Sequence, residues 1–98
     1  MFQVQRTAEF DGWLRGLKDV IGKKHILARL TRLSLGHWGD CKSAGGEVTE
    51  MRIHTGPGYR VYCWQDGLLI VVALAGGDKS TQQRDIDRAR AMVQLFKE

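Results

Sequence analysis

Two arginines, a histidine and a tyrosine flank a Gly-Pro-Gly turn in the runs Glu50-Met51-Arg52-Ile53-His54 and Tyr59-Arg60-Val61-Tyr62-Cys63-Trp64. Arg52, His54, Arg60 and Tyr62 alternate with Met51, Ile53, Val61 and Cys63, the period-two pattern of strands with one buried face. Guanidinium groups match phosphate oxygens in bidentate fashion, and an imidazole moves protons near neutral pH. Chemistry at a phosphodiester is what such a set supports, provided the four groups share a face.

Strand parity decides that, because a one-residue slip exchanges the two faces. Val61 and Cys63 join Met51 and Ile53 in a core only if the connecting loop has odd length. Gly56-Pro57-Gly58 supplies three residues, with Gly58 at the left-handed position such loops need. That register sets Thr55 opposite Tyr59 and Ile53 opposite Val61, and brings the four polar groups within about 8 Å of one another. Lys79, just past the central strand, reaches the rim. A sheet face exposed to water is also normally polar, so the pattern by itself fits a solvated face as well as a phosphate site. Trp13 and Trp38 read as core, and Lys23, Lys24, Arg29 and Arg32 as a solvated helix face. Gly76-Gly77-Asp78-Lys79-Ser80 lacks the GxxxxGK[ST] frame of a phosphate-binding loop.

The elements that carry these residues can be placed by their periodicity. Phe2 to Gln5 alternates as a short strand. Thr7 caps a helix with Phe10, Trp13, Leu14 and Leu17 on its apolar stripe. A second stripe after Asp19 runs through Val20, Ile26, Leu30 and Leu33 to a left-handed cap at Gly36, giving an αα-hairpin. Gly36 to Gly46 reads as an irregular glycine-rich loop. Strands follow over Glu47 to His54, Tyr59 to Trp64, and the fully apolar Leu68 to Ala75, the last two joined by a two-residue Asp66-Gly67 turn. Gly76-Gly77 ends the last strand, and Ser80 with Gln83 forms a capping box for a C-terminal helix. The order β-α-α-β-β-β-α predicts an α+β fold: an antiparallel sheet with the helices, including the N-terminal αα-hairpin, packed on one face.

A chain of 98 residues accommodates one domain, residues 1–98. Leu68 to Ala75 is the longest apolar run, far short of a membrane span, and the N-terminal residues do not resemble an export signal. No membrane association is expected. Cys41 and Cys63 lack CxxC spacing and read as reduced, cytoplasmic thiols. With His25, His37 and His54 scattered, they are too few for a metal site, and no cofactor is expected. The net charge of +4 and pI near 9.4 favour an anionic partner.

The segments Thr7-Ala8-Glu9-Phe10, Trp13-Leu14, Leu17-Lys18-Asp19, Ala28-Arg29-Leu30, Leu33, Gly39-Asp40 with Lys42, Glu50-Met51-Arg52-Ile53, Gly56 to Tyr62 and Gly76 to Gln82 resemble the addiction-module killer proteins. These form the HigB-like branch of the RelE/ParE toxin superfamily. The resemblance spans nearly the whole chain, with GPGYRVY and GGDKSTQ as its most specific motifs. It implies a ribosome-dependent endoribonuclease that cleaves mRNA and stops translation. The implied partner is a helix-turn-helix antitoxin that covers the toxin and represses the shared operon, so operator DNA is met only through the antitoxin. Carried over by motif, Arg52, Arg60, Tyr62 and Lys79 bind and cut RNA, and Lys42 and Tyr59 are further expected RNA contacts. Cys63 stands where an aromatic residue is more usual, and Cys41 and Ala44-Gly45 alter the glycine-rich loop.

RNA carries its own nucleophile, the 2′-hydroxyl. Arg60 is expected to stabilise charge at phosphorus, Arg52 to orient the phosphate and His54 to transfer protons, with Tyr62 or Lys79 as substitutes. The product would be a 2′,3′-cyclic phosphate. The alternative is a ParE-like DNA gyrase poison without nuclease chemistry, or an inactive member that only binds its antitoxin.

Overall fold

Thr7 ends the first strand and starts the first helix with one hydroxyl. Its Oγ1 accepts from the Phe10 amide at 3.0 Å and donates to the Leu74 carbonyl at 2.7 Å. The cap of α1 (Ala8–Gly16) is thereby fastened to the sheet. In the computed structural model, which describes all 98 residues, α1 follows β1 (Gln3–Arg6) and leads into α2 (Val20–Ser34). Four strands come next: β2 (Cys41–Gly45), β3 (Val48–Ile53), β4 (Tyr59–Asp66) and β5 (Ile70–Asp78). A turn of 3₁₀ helix (Lys79–Thr81) and α3 (Gln82–Lys97) complete the α+β chain. No helix is long and apolar enough to cross a membrane.

The five strands lie in the order β1-β5-β4-β3-β2. The sheet is mixed rather than antiparallel, because β1 runs parallel to β5, from Gln3 opposite Ile70 to Arg6 opposite Ala73. The open edge of β5 is where β1 finds backbone partners, since β2 covers the other side of the sheet. β2 itself falls in the stretch expected to be irregular. It pairs with β3 from Cys41 opposite Met51 to Gly45 opposite Val48, and the turn after it is made by left-handed Gly45, Gly46 and Glu47.

The helices occupy both faces, not one. Phe10, Leu14, Ile26, Leu30 and Leu33 of the αα-hairpin pack on Met51, Ile53, Tyr59, Val61, Cys63, Val71 and Ala73. Ala89, Met92 and Val93 of α3 pack on the opposite face, against Val48, Tyr62, Trp64, Val72, Leu74 and Ala75. The continuous apolar run in β5 is the mark of a strand covered on both sides. A bulge between Tyr62 and Cys63 of β4 sets Cys63 against Ala73 but Tyr62 against Ala75, so Leu74 and Ala75 both serve the α3 side.

Three local expectations shift. β5 continues through Gly76 and Gly77 to Asp78, and its hairpin with β4 turns over Gly67, Leu68 and Leu69, the two leucines exposed. Ser80 does not cap α3; Asp78 accepts from the Ser80 amide and hydroxyl and caps the 3₁₀ turn instead. The β3–β4 pairing sets Ile53 opposite Tyr59 and Met51 opposite Val61, two residues from the expected register, with a five-residue loop over 54–58. Five is also odd, so the faces are unchanged. Left-handed Gly56 and Gly58, and a Gly58 N–H to Thr55 C=O bond of 3.0 Å, close this loop.

Asp19 joins the hairpin to the sheet. One carboxylate oxygen accepts from the Gly22 amide at 2.9 Å and caps α2, while the other accepts from the Tyr59 hydroxyl at 2.9 Å. The Gly22 bond, then the Tyr59 bond, hold the carboxyl below its ordinary value of 3.8. A group depressed by folding contributes stability that is complete above its unfolded value and is lost as pH falls through the folded one. Urea titrations of the wild type therefore show a falling midpoint below pH 3.8, and Asp19→Asn flattens that part of the curve. An unchanged pH dependence in the variant would remove this role.

Candidate functional site

Cross-strand pairing puts Arg52 directly opposite Arg60, and Glu50 directly opposite Tyr62, on the face that α3 partly covers. Two guanidinium groups side by side repel unless an anion is near. Glu50 is that anion. It is fully buried and accepts from Arg52 Nε at 3.1 Å and from Gln82 Nε2, at the start of α3, at 2.8 Å. Burial acts to raise its carboxyl, but the Gln82 and Arg52 hydrogen bonds and the charges of Arg52 and Arg60 outweigh it and hold Glu50 ionised.

Arg60 is the other charged group in the buried set, with 7% of its surface exposed. Its Nη1 donates to the Gly58 carbonyl at 2.6 Å, while its Nε is buried with no partner. A buried N–H without an acceptor is costly, and an anion entering beside it would supply one. Gly58 makes room for this arrangement. Its φ is +81°, and a Cβ there would lie 2.9 Å from Arg60 Nη1 and 3.5 Å from Lys79 Cγ.

Arg52, His54, Arg60, Lys79 and the Thr55–Gly58 turn line an open groove of about 520 Å³ with no acidic side chain among its lining residues. Lys79 arrives there because β5 pairs Asp78 with Tyr59, so the next residue emerges beside the Gly58 turn. His54 stands on the loop just after β3, and its Nε2 is hydrogen-bonded to Asp40 Oδ2. That bond is the main reason the Asp40 carboxyl lies below its ordinary value.

Other expected site residues sit elsewhere. Tyr62 shares the parity of the arginines but is fully buried under α3 and does not line the groove. Burial first, then the charges of Glu50 and Asp85, push its phenol far above the ordinary value of 10, so it does not supply a proton acceptor at neutral pH. Tyr59 belongs to the opposite core. Its hydroxyl is engaged by Asp19 and its ring stands edge-on to Trp13, so it is not available to RNA. Lys42 is exposed on the edge strand opposite Glu50, outside the groove lining.

Three contributors escaped the sequence pattern. Arg29, read as solvated, donates to the carbonyls of Arg52, Trp38 and Asp40. Bonds to backbone leave no periodic trace. Gln82 and Glu50 are likewise invisible until α3 is placed, although an acid two residues before Arg52 on one face was a usable signal. Cys63 is packed with its Sγ 3.7 Å from Met51 Sδ, and burial pushes its thiol up to about 12. A second groove, of about 290 Å³, lies at the far end of β4 beside Trp64, Val72 and Phe96. Its charged lining is one Arg6, bound to Asp11, and one Asp66, so it lacks convergent charge.

No protein-family model matches the chain. A Haemophilus influenzae protein described as uncharacterized is 45% identical over 92 residues, 94% of this chain and 93% of that protein. Identity at this level along nearly the full length of both proteins makes them members of one family. The chain belongs to the family of that Haemophilus influenzae protein.

Proposed function

We propose that the chain is the toxin of a type II toxin–antitoxin module, a RelE/ParE-like, ribosome-dependent endoribonuclease that cuts mRNA and blocks translation in the cytoplasm. The observation that carries this reading is the groove itself. Arg52, His54, Arg60 and Lys79 converge there, and the buried Arg60 Nε has no acceptor. The resemblance of GPGYRVY and GGDKSTQ to addiction-module killer proteins supplies the class of anion.

The phosphodiester lies across the groove with a non-bridging oxygen at Arg60. The 2′-hydroxyl attacks phosphorus as His54 takes its proton, and the bond to the 5′-oxygen breaks. Lys79 gives that oxygen a proton. One strand ends in a 2′,3′-cyclic phosphate and the other begins with a 5′-hydroxyl. Arg60, fixed by Gly58, stabilises the charge that builds on the phosphoryl oxygens, which is where preorganised donors have most effect. Arg52, held by Glu50, orients the phosphate. RNA supplies the nucleophile, so the scheme runs without a metal. A small helix-turn-helix antitoxin that covers the groove would silence the chain and bring it to operator DNA.

Induction in a bacterial host is expected to arrest growth, and primer extension on total RNA is expected to show new 5′ ends at fixed positions within codons. DNA breaks with an SOS response and intact mRNA would replace this reading with gyrase poisoning. Unaffected growth with intact RNA and DNA would overturn both.

A further inference from the structure

His54 lies beyond the end of β3 with its side chain 74% exposed, so sheet hydrogen bonding does not orient the ring. A proton acceptor must meet its donor at about 3 Å, and an imidazole free to sample rotamers spends little time there. The Asp40 carboxylate at Nε2 removes that freedom.

Asp40 stands in the segment between α2 and β2, where a side chain would ordinarily wander. It does not, because its backbone is held from two sides. The Arg52 amide donates to the Asp40 carbonyl at 2.9 Å, and Arg29 Nη2 donates to the same carbonyl and to that of Trp38, each at 3.0 Å. Arg29 Nη1 donates to the Arg52 carbonyl, so one guanidinium joins α2, the 38–40 segment and β3. Gly39 is shaped for its passage. Its φ is +69°, and a Cβ would sit 2.7 Å from Arg29 Nη2. These backbone bonds already fasten the segment to the sheet. The Asp40 carboxylate is not needed for that task, and it is spent on His54.

We infer that Asp40 is the positioning residue of His54, set in place by Arg29 passing over Gly39, so that an Asp–His pair performs proton transfer in the groove. This rests on the RNA-cleavage reading. With Nε2 committed to the carboxylate, Nδ1 is the ring nitrogen left to take the 2′-hydroxyl proton. The other charged side chains lining the groove are Arg52 from β3, Arg60 from β4 and Lys79 after β5, all positive. Asp40 therefore supplies the counter-charge for the imidazolium that forms, and remains ionised throughout.

The test uses the full chain with ribosomes programmed with a short mRNA, and variants Asp40→Asn, Asp40→Glu, Arg29→Ala and the double Arg29→Ala/Asp40→Asn. Removing an orienting partner costs about 10–100-fold, and that loss is expected in the saturated cleavage rate of Asp40→Asn. The half-saturating concentration stays unchanged, since Asp40 does not touch the phosphate. Asp40→Glu recovers part of the rate. Arg29→Ala loses rate by the same route, so the double variant is no slower than the slower single one. Nitrogen NMR of the imidazole shows one tautomer, protonated at Nε2, in the wild type and a mixture in Asp40→Asn. A wild type that cleaves while Asp40→Asn keeps both its rate and its tautomer overturns the positioning role and leaves RNA cleavage standing. A wild type that does not cleave, yet loses its single tautomer on Asp40→Asn, removes the RNA reading and keeps the pairing. Strictly additive losses in the double variant would remove Arg29 from the scheme.

Discussion

Arg60→Ala is expected to lower single-turnover mRNA cleavage on programmed ribosomes by about 100–1,000-fold, the range typical of losing a preorganised donor to a developing oxyanion. The expectation follows from what the side chain does not do. Only Nη1 is engaged, by Gly58, and the buried Nε has no internal acceptor. The fold therefore loses little of its hydrogen bonding when the guanidinium goes. Glu50 keeps both of its partners, Arg52 and Gln82, and Arg52 is relieved of a like-charged neighbour. Thermal stability should thus fall far less than activity. Arg60→Lys retains the charge without the planar fork, and is expected to restore binding better than rate. Undiminished cleavage and growth arrest in Arg60→Ala would remove Arg60 from the chemistry.

Gly76→Ala is expected to destabilise the fold by about 3 kcal/mol, a severe overpacking penalty. A Cβ at this position would lie 2.2 Å from Trp13 Cε3 and 2.3 Å from Cζ3. The indole is flanked by the rings of Phe10 and Tyr59, with centroids 5.8 and 6.1 Å away, so it yields only by disturbing that aromatic packing. Gly77→Ala offers the contrast. Its Cβ would meet Asp85 Oδ2 at 1.9 Å, but that atom ends a side chain that can rotate, at the cost of its bond from Thr81. Gly77→Ala should therefore cost less stability while disturbing the turn that presents Lys79. Urea unfolding followed by tryptophan fluorescence separates the two, and equal midpoints for both variants would contradict this reading of the glycine pair.

Much of this was legible in the residues, for reasons that differ from element to element. The shared face of Arg52 and Arg60 survives a register error of two, because loops of three and five residues preserve parity. The cap at Thr7 follows from a side chain that bonds locally. What alternation did not disclose is which face of a sheet a helix will cover. Tyr62 and Trp64 are amphipathic enough to suit either water or a core, and only the unbroken apolar run of β5 spoke for two-sided burial. β2 was hidden because Cys41-Lys42-Ser43-Ala44-Gly45 has no strand-like pattern and gains its order from pairing with β3. Arg29 was hidden because carbonyl acceptors carry no sequence label. The net charge pointed at the whole surface; the structure gathers three of the fifteen lysines and arginines, Arg52, Arg60 and Lys79, in one groove, with Glu50 and Asp40 as buried and peripheral counterweights that composition alone could not place.

The parallel pairing of β1 with β5 also governs how the protein comes into being. Residues 3–6 leave the ribosome well before residues 70–73, their backbone partners. Contacts of such long sequence separation close late and slowly. Lys79 follows directly after β5, so the wall it contributes to the groove is synthesised only after all five strands. An interrupted product ending before residue 70 holds both arginines but neither β5 nor Lys79, and lacks the β5 edge on which its first strand settles. The groove is complete only once β5 and Lys79 have joined the sheet, and copies that stop short of them are denied it by topology.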